Sequence, residues 1–509
     1  MNFKRIKQSS AVLMLVIIGS KLIGMLRDVI LANYFGTTNI SDAYLIASSV
    51  PTLLFYFIGH SLATAYIPMF NKVRTEKGEK RALDYSNNML NISLIISALI
   101  VVILLVFPGV VVKIFATGFD QTTAEIAARL IRISAPSIFL MTMVYICTGY
   151  LQANKSFLAP AAVSVPRNIA IVTSIILAAS LGTDWLGWGL LASYVLEFLF
   201  LAPFVFGKGY KYRPVLKLKD EDAKQTLYII VPILLGMCVG QVNKIIDRSI
   251  ASTVVEGGIS ALTYASVINT AVQEVLVTGI ITILFASCAE LVAKGEHDKV
   301  KSRLNSTLNT MMFLLIPAVA GVLVLAKPIV KLILARGSFD ETSLKLTVGA
   351  LRCYIIGVLF LAIRDTLVKV FYAYKNTKVT TITSIIAILI NIVLNLVLSK
   401  FMGTNGLALA TSISAIFSAV SLYILLRRKI GGFGCKKSIW VAVKSIISGA
   451  IMAVVTYYSY NFMANKMSYI IALLVTVAIS CIVYFVVALI LRTEPIMDVY
   501  KKVRRRIKG

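Results

Sequence analysis

Fourteen apolar runs, each long enough to cross a lipid bilayer as a helix, constrain this chain more than any other feature of its sequence. A helix rises 1.5 Å per residue, so a hydrocarbon core of about 30 Å takes about twenty residues. The runs fall near 10–35, 42–70, 86–115, 124–151, 158–181, 187–206, 226–251, 259–292, 304–334, 343–373, 379–399, 405–426, 438–461 and 468–491. In lipid every backbone polar group must be satisfied within its own segment, which makes these runs helices and the fold an all-α polytopic membrane protein. Composition excludes the soluble alternative: 58% hydrophobic and 15% charged residues, with a mean hydropathy of +0.86, cannot clothe a water-facing surface.

The charge balance has to be read by position. Lys and Arg number 51 against 23 Asp and Glu, a net charge of +28. Nucleic acid binding would need those cations on a folded polar domain, and no polar stretch exceeds about twenty residues. With the N-terminus in the cytoplasm, cytoplasmic loops and tails hold about 33 Lys and Arg and the outer loops about three, Arg336, Lys400 and Lys466. The positive-inside rule then places both ends inside. Lys4, Arg5 and Lys7 resemble the start of a signal peptide, but the following run carries Lys21, Arg27 and Asp28 and reads as a mature helix. The loop Lys208 to Lys224 and the tail Lys501 to Lys508 lie against the anionic inner leaflet and read chiefly as orientation determinants. Six scattered cysteines without C-x-x-C spacing read as packing residues.

Shifting the chain against itself by about 220 residues aligns more than apolar positions. Lys77-Gly78-Glu79 meets Lys294-Gly295-Glu296, and Asn87, Leu90 and Asn91 meet Asn305, Leu308 and Asn309. Gly118, Phe119-Asp120 and Thr122 meet Gly337, Phe339-Asp340 and Thr342, and Ala153 and Lys155 meet Ala373 and Lys375. The expected fold is therefore fourteen transmembrane helices: two parallel six-helix repeats, as in transporters, and two C-terminal helices outside them. The corresponding division is an N-terminal lobe 1–206, a basic cytoplasmic linker 207–225, a C-terminal lobe 226–427, and the two extra helices with a basic tail, 428–509.

Ionisable residues at bilayer depth cost at least a few kcal/mol each and face a cavity or a partner. The first helix of each repeat is the charged one: Lys21, Arg27 and Asp28 in one, Lys244, Asp247 and Arg248 in the other. Each carries one more cation than carboxylate, which suits a phosphate or diphosphate, with Lys21 as a point charge and Arg27 as a bidentate clamp. The competing reading is internal salt bridges, Asp28 with Lys21 and Asp247 with Lys244 or Arg248, that only position helices. Arg129, Arg132, Arg352 and Arg364 line the cavity or snorkel to an interface. His60 is a candidate proton-linked group or a hydrogen-bonded core histidine. Asn391 and Asn395, one turn apart, form with Asp247 and Thr411 a candidate site for a small cation, or bond neighbouring helices. Asp220-Glu221-Asp222 in its lysine-rich loop reads as solvated charge rather than a metal-nucleotide site.

Ser20-Lys21-Leu22-x-Gly24-x-x-Arg27-Asp28, Phe35-Gly36, Asp42-Ala43, Pro51 and Ile67-Pro68-x-Phe70 resemble the opening of the MurJ (MviN) lipid II flippases of the MOP superfamily. Arg336-Gly337-x-Phe339, the run Phe371 to Lys378, and Pro160-Ala161 followed by Asn168 are similar to later motifs of that family. The resemblance covers essentially the whole chain. It implies a MATE-like fold and a non-enzymatic flippase of the bacterial cytoplasmic membrane that moves an undecaprenyl-diphosphate-linked peptidoglycan precursor to the outer leaflet by alternating access. It further implies cavity cations for the diphosphate, a groove for the lipid tail, coupling to membrane potential or an ion, and membrane lipids and cell-wall synthases as partners. By position, Lys21 stands where the family commonly has Arg, and Arg27 and Asp42 match. Asp247, Asn391, Asn395 and Thr411 fall on a proposed sodium site, sodium being the one cofactor implied, although relatives are often acidic at Asn395. The expected substrate-binding set is thus Lys21, Arg27, Asp28, Asp42, Lys244 and Arg248.

Two departures bear on the cargo. The family often shows Arg and then Glu after the Pro51-x-Leu53-Leu54 stretch, where this chain has Phe55-Tyr56, and Tyr264-Ala265-Ser266-Val267 replaces a usual Tyr-Ala-Asp-Arg. Either Lys244 and Arg248 replace the lost charge or the cargo is another polyprenyl-diphosphate-linked glycan. A multidrug cation antiporter of the same superfamily would want an acidic cavity, and the cationic first helices argue against it; a membrane-embedded transferase would need a polar loop of paired carboxylates or histidines, and none is present apart from Asp220-Glu221-Asp222.

Overall fold

The computed structural model describes residues 3–433 and 435–497; within them the side chains of 3–11, 13, 14, 56–58, 60, 61, 63, 64, 231–239, 435 and 436 lie outside the description. The described residues form seventeen helices and no strand. The first ten are α1 (Phe3–Phe35), α2 (Asn39–Lys77), α3 (Glu79–Val106), α4 (Pro108–Phe115), α5 (Gln121–Ser134), α6 (Ser137–Ala153), α7 (Leu158–Ala162), α8 (Ser164–Leu181), α9 (Asp184–Gly207) and α10 (Glu221–Val254). Then come α11 (Gly258–Ala293), α12 (His297–Leu334), α13 (Glu341–Ala373), α14 (Thr377–Met402), α15 (Thr404–Ile430), α16 (Cys435–Ala464) and α17 (Tyr469–Ile490).

Each apolar run lies on one helix or on a pair broken inside the run. Two of the breaks are proline chemistry. Pro108 opens α4 and holds Phe107 out of helical geometry, and Pro136 separates α5 from α6, which meet at a bend of 49°. Among the described residues ten helical segments are long and apolar enough to cross a membrane, and the bent pair makes an eleventh. The other three predicted spans lie on α1, α2 and α10, each with side chains outside the description.

The repeat is written into the backbone. Positive φ angles recur in pairs about 220 residues apart: Gly36 with Gly257, Gly78 with Gly295, Lys155 with Lys375, Gly182 with Gly403 and Gly209 with Gly431. Lys155 and Lys375 close α6 and α13 by the same left-handed turn. Their N–H groups reach Gln152 O and Tyr372 O, both at 2.9 Å, and the next N–H reaches Leu151 O at 2.8 Å or Phe371 O at 2.9 Å. Asp120 and Asp340 likewise cap α5 and α13, accepting from Thr123 N and Ser343 N.

Chain contacts divide the protein into two compact units. One runs to Ser260 and includes Gly337–Phe339, so α10 joins α1–α9 and the boundary falls beyond the basic linker. Its core is aromatic, with Tyr66, Phe70, Tyr85 and Tyr150 fully buried. The other unit holds Ala261–Arg336 and the chain from Asp340 onward. There α12 packs against α13 and α16, and the Tyr484 hydroxyl of α17 donates to Phe313 O at 2.6 Å, pinning the C-terminal pair to α12.

Within the first unit, the turns ending α1 and α10 are joined through glycines. A Cβ on Gly257 would overlap the Thr37 carbonyl, one on Gly118 the Ser252 carbonyl, and one on Gly337 the Asn33 carbonyl. Hydrogen bonds reinforce these approaches: Gly118 N to Ser252 Oγ at 2.9 Å, Ser338 N to Asn33 O at 2.8 Å, and Asn39 N to Glu256 Oε1 at 3.2 Å.

Candidate functional site

α1 lies along α7 and α8, with Gly24 beside Asn168 of α8. One turn further on, Arg27 Nε and Nη2 both donate to Asp28 Oδ1, at 2.9 and 2.7 Å, while Nη1 reaches Asn168 Oδ1 at 3.4 Å. Asp28 is buried and Lys21 exposed. The carboxylate of this helix therefore pairs with its neighbour Arg27. Two donors of the expected clamp are already engaged, and the pair as a whole is neutral.

α10 handles the same residue types differently. Asp247 Oδ2 accepts from Asn243 Nδ2 at 3.0 Å, a contact one turn apart on the same helix. Lys244 is exposed, and Arg248 Nη1 is buried without a hydrogen-bond partner.

Asp42, expected in the substrate-binding set, is placed on α2. It is 2% exposed, and its carboxylate accepts from Ser260 N at 2.7 Å, at the start of α11. A buried carboxylate on a helix N-terminus neutralises the unsatisfied N–H groups there, so Asp42 anchors a joint.

The remaining predicted residues fall as follows. Asn391 and Asn395 are buried on α14 and bond each other at 3.2 Å; Thr411 on α15 bonds its own helix at Leu407 O. These three belong to the second unit and Asp247 to the first. The His60 side chain and the tail Lys501 to Lys508 lie outside the described residues. Arg129 pairs with Asp184 at 2.8 Å, both half-exposed, and Arg132 Nε reaches Leu105 O at 3.4 Å. In the second unit Arg364 clasps Asp365 Oδ1 at 3.0 and 2.8 Å, and Gln273 donates to Asp365 Oδ2 at 3.0 Å.

Asp220 and Asp222 are not loosely solvated. Arg81 bonds both, and Lys77 bonds Asp222 at 2.7 Å. Burial pushes the Asp220 carboxyl up, and the Arg81 hydrogen bond and charge, with the N–H groups of Ala223 and Asp222, outweigh it and hold the group below its usual 3.8. Among the described residues no cluster of His, Cys, Asp and Glu could hold a metal ion.

Sequence reasoning missed a second charged pair beside the first. Arg167, adjacent to Asn168 on α8, stands 3.9 Å from Glu197 of α9 and 5.0 Å from the Tyr194 ring centroid. Glu197 keeps only 4% of its side chain exposed, and Arg167 Nε is buried without a hydrogen-bond partner. Each is a lone charge in an apolar run, the same signal that singled out Arg27, but the pairing joins two helices and has no local spacing to reveal it.

Helices of this length, repeated in one register and carrying ionisable side chains inside their apolar stretches, define a multi-pass membrane transporter. The fold resembles that of a lipid II flippase MurJ in an inward closed conformation, with a TM-score of 0.81 and 24% identity over 94% of this chain and 98% of that one. It also resembles an inward-facing multidrug resistance MATE family transporter of the MOP superfamily, with a TM-score of 0.70 and 15% identity over 82% and 98%. At these identities the likeness establishes the fold. The sequence model of the lipid II flippase MurJ family matches residues 31–478, and the chain therefore belongs to that family. Similar relatives include the lipid II flippase MurJ of Thermosipho africanus, 28% identical over 91% of this chain and 93% of the relative. A probable lipid II flippase MurJ of Bdellovibrio bacteriovorus is 24% identical over 97% and 96%.

Proposed function

We propose that this chain is a lipid II flippase of the bacterial cytoplasmic membrane, with both termini inside, that carries the diphosphate-linked peptidoglycan precursor between leaflets by alternating access. The observation that carries this reading is membership of the MurJ family over residues 31–478, with relatives of that name matching nearly end to end. The charged first helices support it. A diphosphate leaving water for a protein cavity needs cations already held in place, and on α1 Asp28 and Asn168 fix the orientation of Arg27. Each of these two helices carries one more cation than carboxylate in this stretch, and the unmet donor of Arg248 is available to a phosphate oxygen.

The test is rescue of a bacterium depleted of its own lipid II flippase. Growth restored by the wild-type chain and lost with Arg27→Ala is the expected result. A chain that inserts stably, fails to rescue, and in proteoliposomes moves another polyprenyl-diphosphate glycan but not lipid II would assign that other cargo instead. Dye efflux that survives Arg27→Ala would assign a multidrug antiporter.

A further inference from the structure

The segment joining α9 to α10 carries Lys208, Lys211, Arg213, Lys217 and Lys219 and no acidic residue before Asp220. A loop that only orients a membrane protein by charge needs no fixed shape. This one has a fixed shape without being helix or strand, because side chains of α3 hold its backbone. Asn87 Nδ2 donates to Lys211 O at 3.0 Å and Asn91 Nδ2 to Val215 O at 2.8 Å. Asn88 pairs with Lys217 through both amide groups, Nδ2 to the carbonyl at 3.0 Å and Oδ1 from the N–H at 2.7 Å. Tyr210 and Tyr212 donate back to Asn87 Oδ1 and Asn91 Oδ1 at 2.8 and 3.0 Å, and the Tyr150 hydroxyl holds Lys208 O at 3.0 Å.

With its backbone tied inward, the strap shows its side chains outward. All five basic residues are exposed, and between them Tyr212, Leu216 and Leu218 are also exposed, at 55%, 50% and 64%. Arg213 leans toward Asp84 at 3.8 Å, the single carboxylate paired with this stretch among the described residues. The three asparagines sit where the polar start of α3 gives way to its apolar run, so the strap is tied at the depth where hydrocarbon meets headgroups. Alternating cations and apolar groups at that depth match an anionic lipid surface: the cations meet phosphates and the tyrosine and leucines enter the acyl boundary.

We propose that residues 208–219 form a preorganised docking strap for anionic phospholipid headgroups, displayed by Asn87, Asn88 and Asn91. The proposal is independent of the cargo. Tryptophan placed at Leu218, read as the difference from the parent protein with its own Trp185, Trp188 and Trp440, reports contact with brominated lipid. In proteoliposomes, brominated phosphatidylglycerol should quench L218W about fivefold more effectively than brominated phosphatidylcholine at equal mole fraction. Lys211→Glu with Lys217→Glu and Lys219→Glu should abolish that preference. Asn88→Ala with Asn91→Ala, which leaves the charge untouched, should weaken it. Equal quenching by both lipids, expected if the strap faces water and serves a soluble acidic partner, would overturn the proposal, as would a preference unchanged in either set of variants.

Discussion

Gly257 lies so close to the carbonyl oxygen of Thr37 that no side chain fits between them, which ties the turn ending α10 to the turn ending α1. Its φ of +76° adds a second reason for glycine, since an L-residue is strained there. Gly257→Ala should lower stability by at least about 1–2 kcal/mol from backbone strain alone, before any shift of Thr37. Gly240→Ala, in α10 with open space around it, should be neutral or stabilising by up to about 1 kcal/mol. Thermal unfolding of the two variants in detergent checks this, and coincident midpoints would refute it.

The Arg27–Asp28 pair separates structure from transport. Asp28→Ala leaves a guanidinium without its carboxylate, at a cost near the lower end of about 3–5 kcal/mol because Arg27 keeps 28% of its side chain exposed. Arg27→Met combined with Asp28→Leu should recover most of that stability and still fail to rescue a flippase-depleted strain. Rescue by the double variant would remove Arg27 from the substrate path.

The two helix caps give a pH dependence of known sign. Hydrogen bonds from Thr123 hold the Asp120 carboxyl below its usual 3.8, and those from Ser343 do the same for Asp340. A depressed folded value means that each contribution is complete above the unfolded value and disappears as pH falls through the folded one. Wild type should therefore lose stability below about pH 4, and Asp120→Asn with Asp340→Asn should flatten that limb while leaving a lower plateau at pH 7. Denaturation midpoints measured from pH 7 to pH 3 decide it.

In the second unit Gly357 lets α13 meet α15, where a Cβ would come 2.6 Å from Ser412 Oγ and 2.8 Å from Ser412 Cα. That hydroxyl is committed to Cys353 O at 2.6 Å. Gly357→Val should cost about 1–3 kcal/mol as the helices are forced apart, and adding Ser412→Ala should relieve only part of it because the backbone contact remains. Full relief in the double variant would show that the close approach is between side chains only.

Much of the architecture was legible because membrane helices announce themselves locally. Fourteen runs marked the helical segments, and Gly78, Lys155 and Asp120 met their counterparts before any backbone angle was known. The charged site was legible only as a set of residue types. The salt bridge expected for Asp28 was with Lys21, and the structure shows one with the adjacent Arg27, a choice set by rotamer. Asp42 entered the expected set by resemblance alone, and its bond to Ser260, more than two hundred residues away, has no local signature.

The sequence by itself determined the helices, their repetition and the helices that carry charge, because the cost of polar groups in lipid is paid segment by segment. Tertiary structure alone decided which carboxylate neutralises which cation, that Arg167 meets Glu197, and that a basic linker is a strap held by three asparagines. Those outcomes depend on side chains from different helices arriving within hydrogen-bonding distance, and such bonds act over about 3 Å, a range that no spacing along the chain encodes.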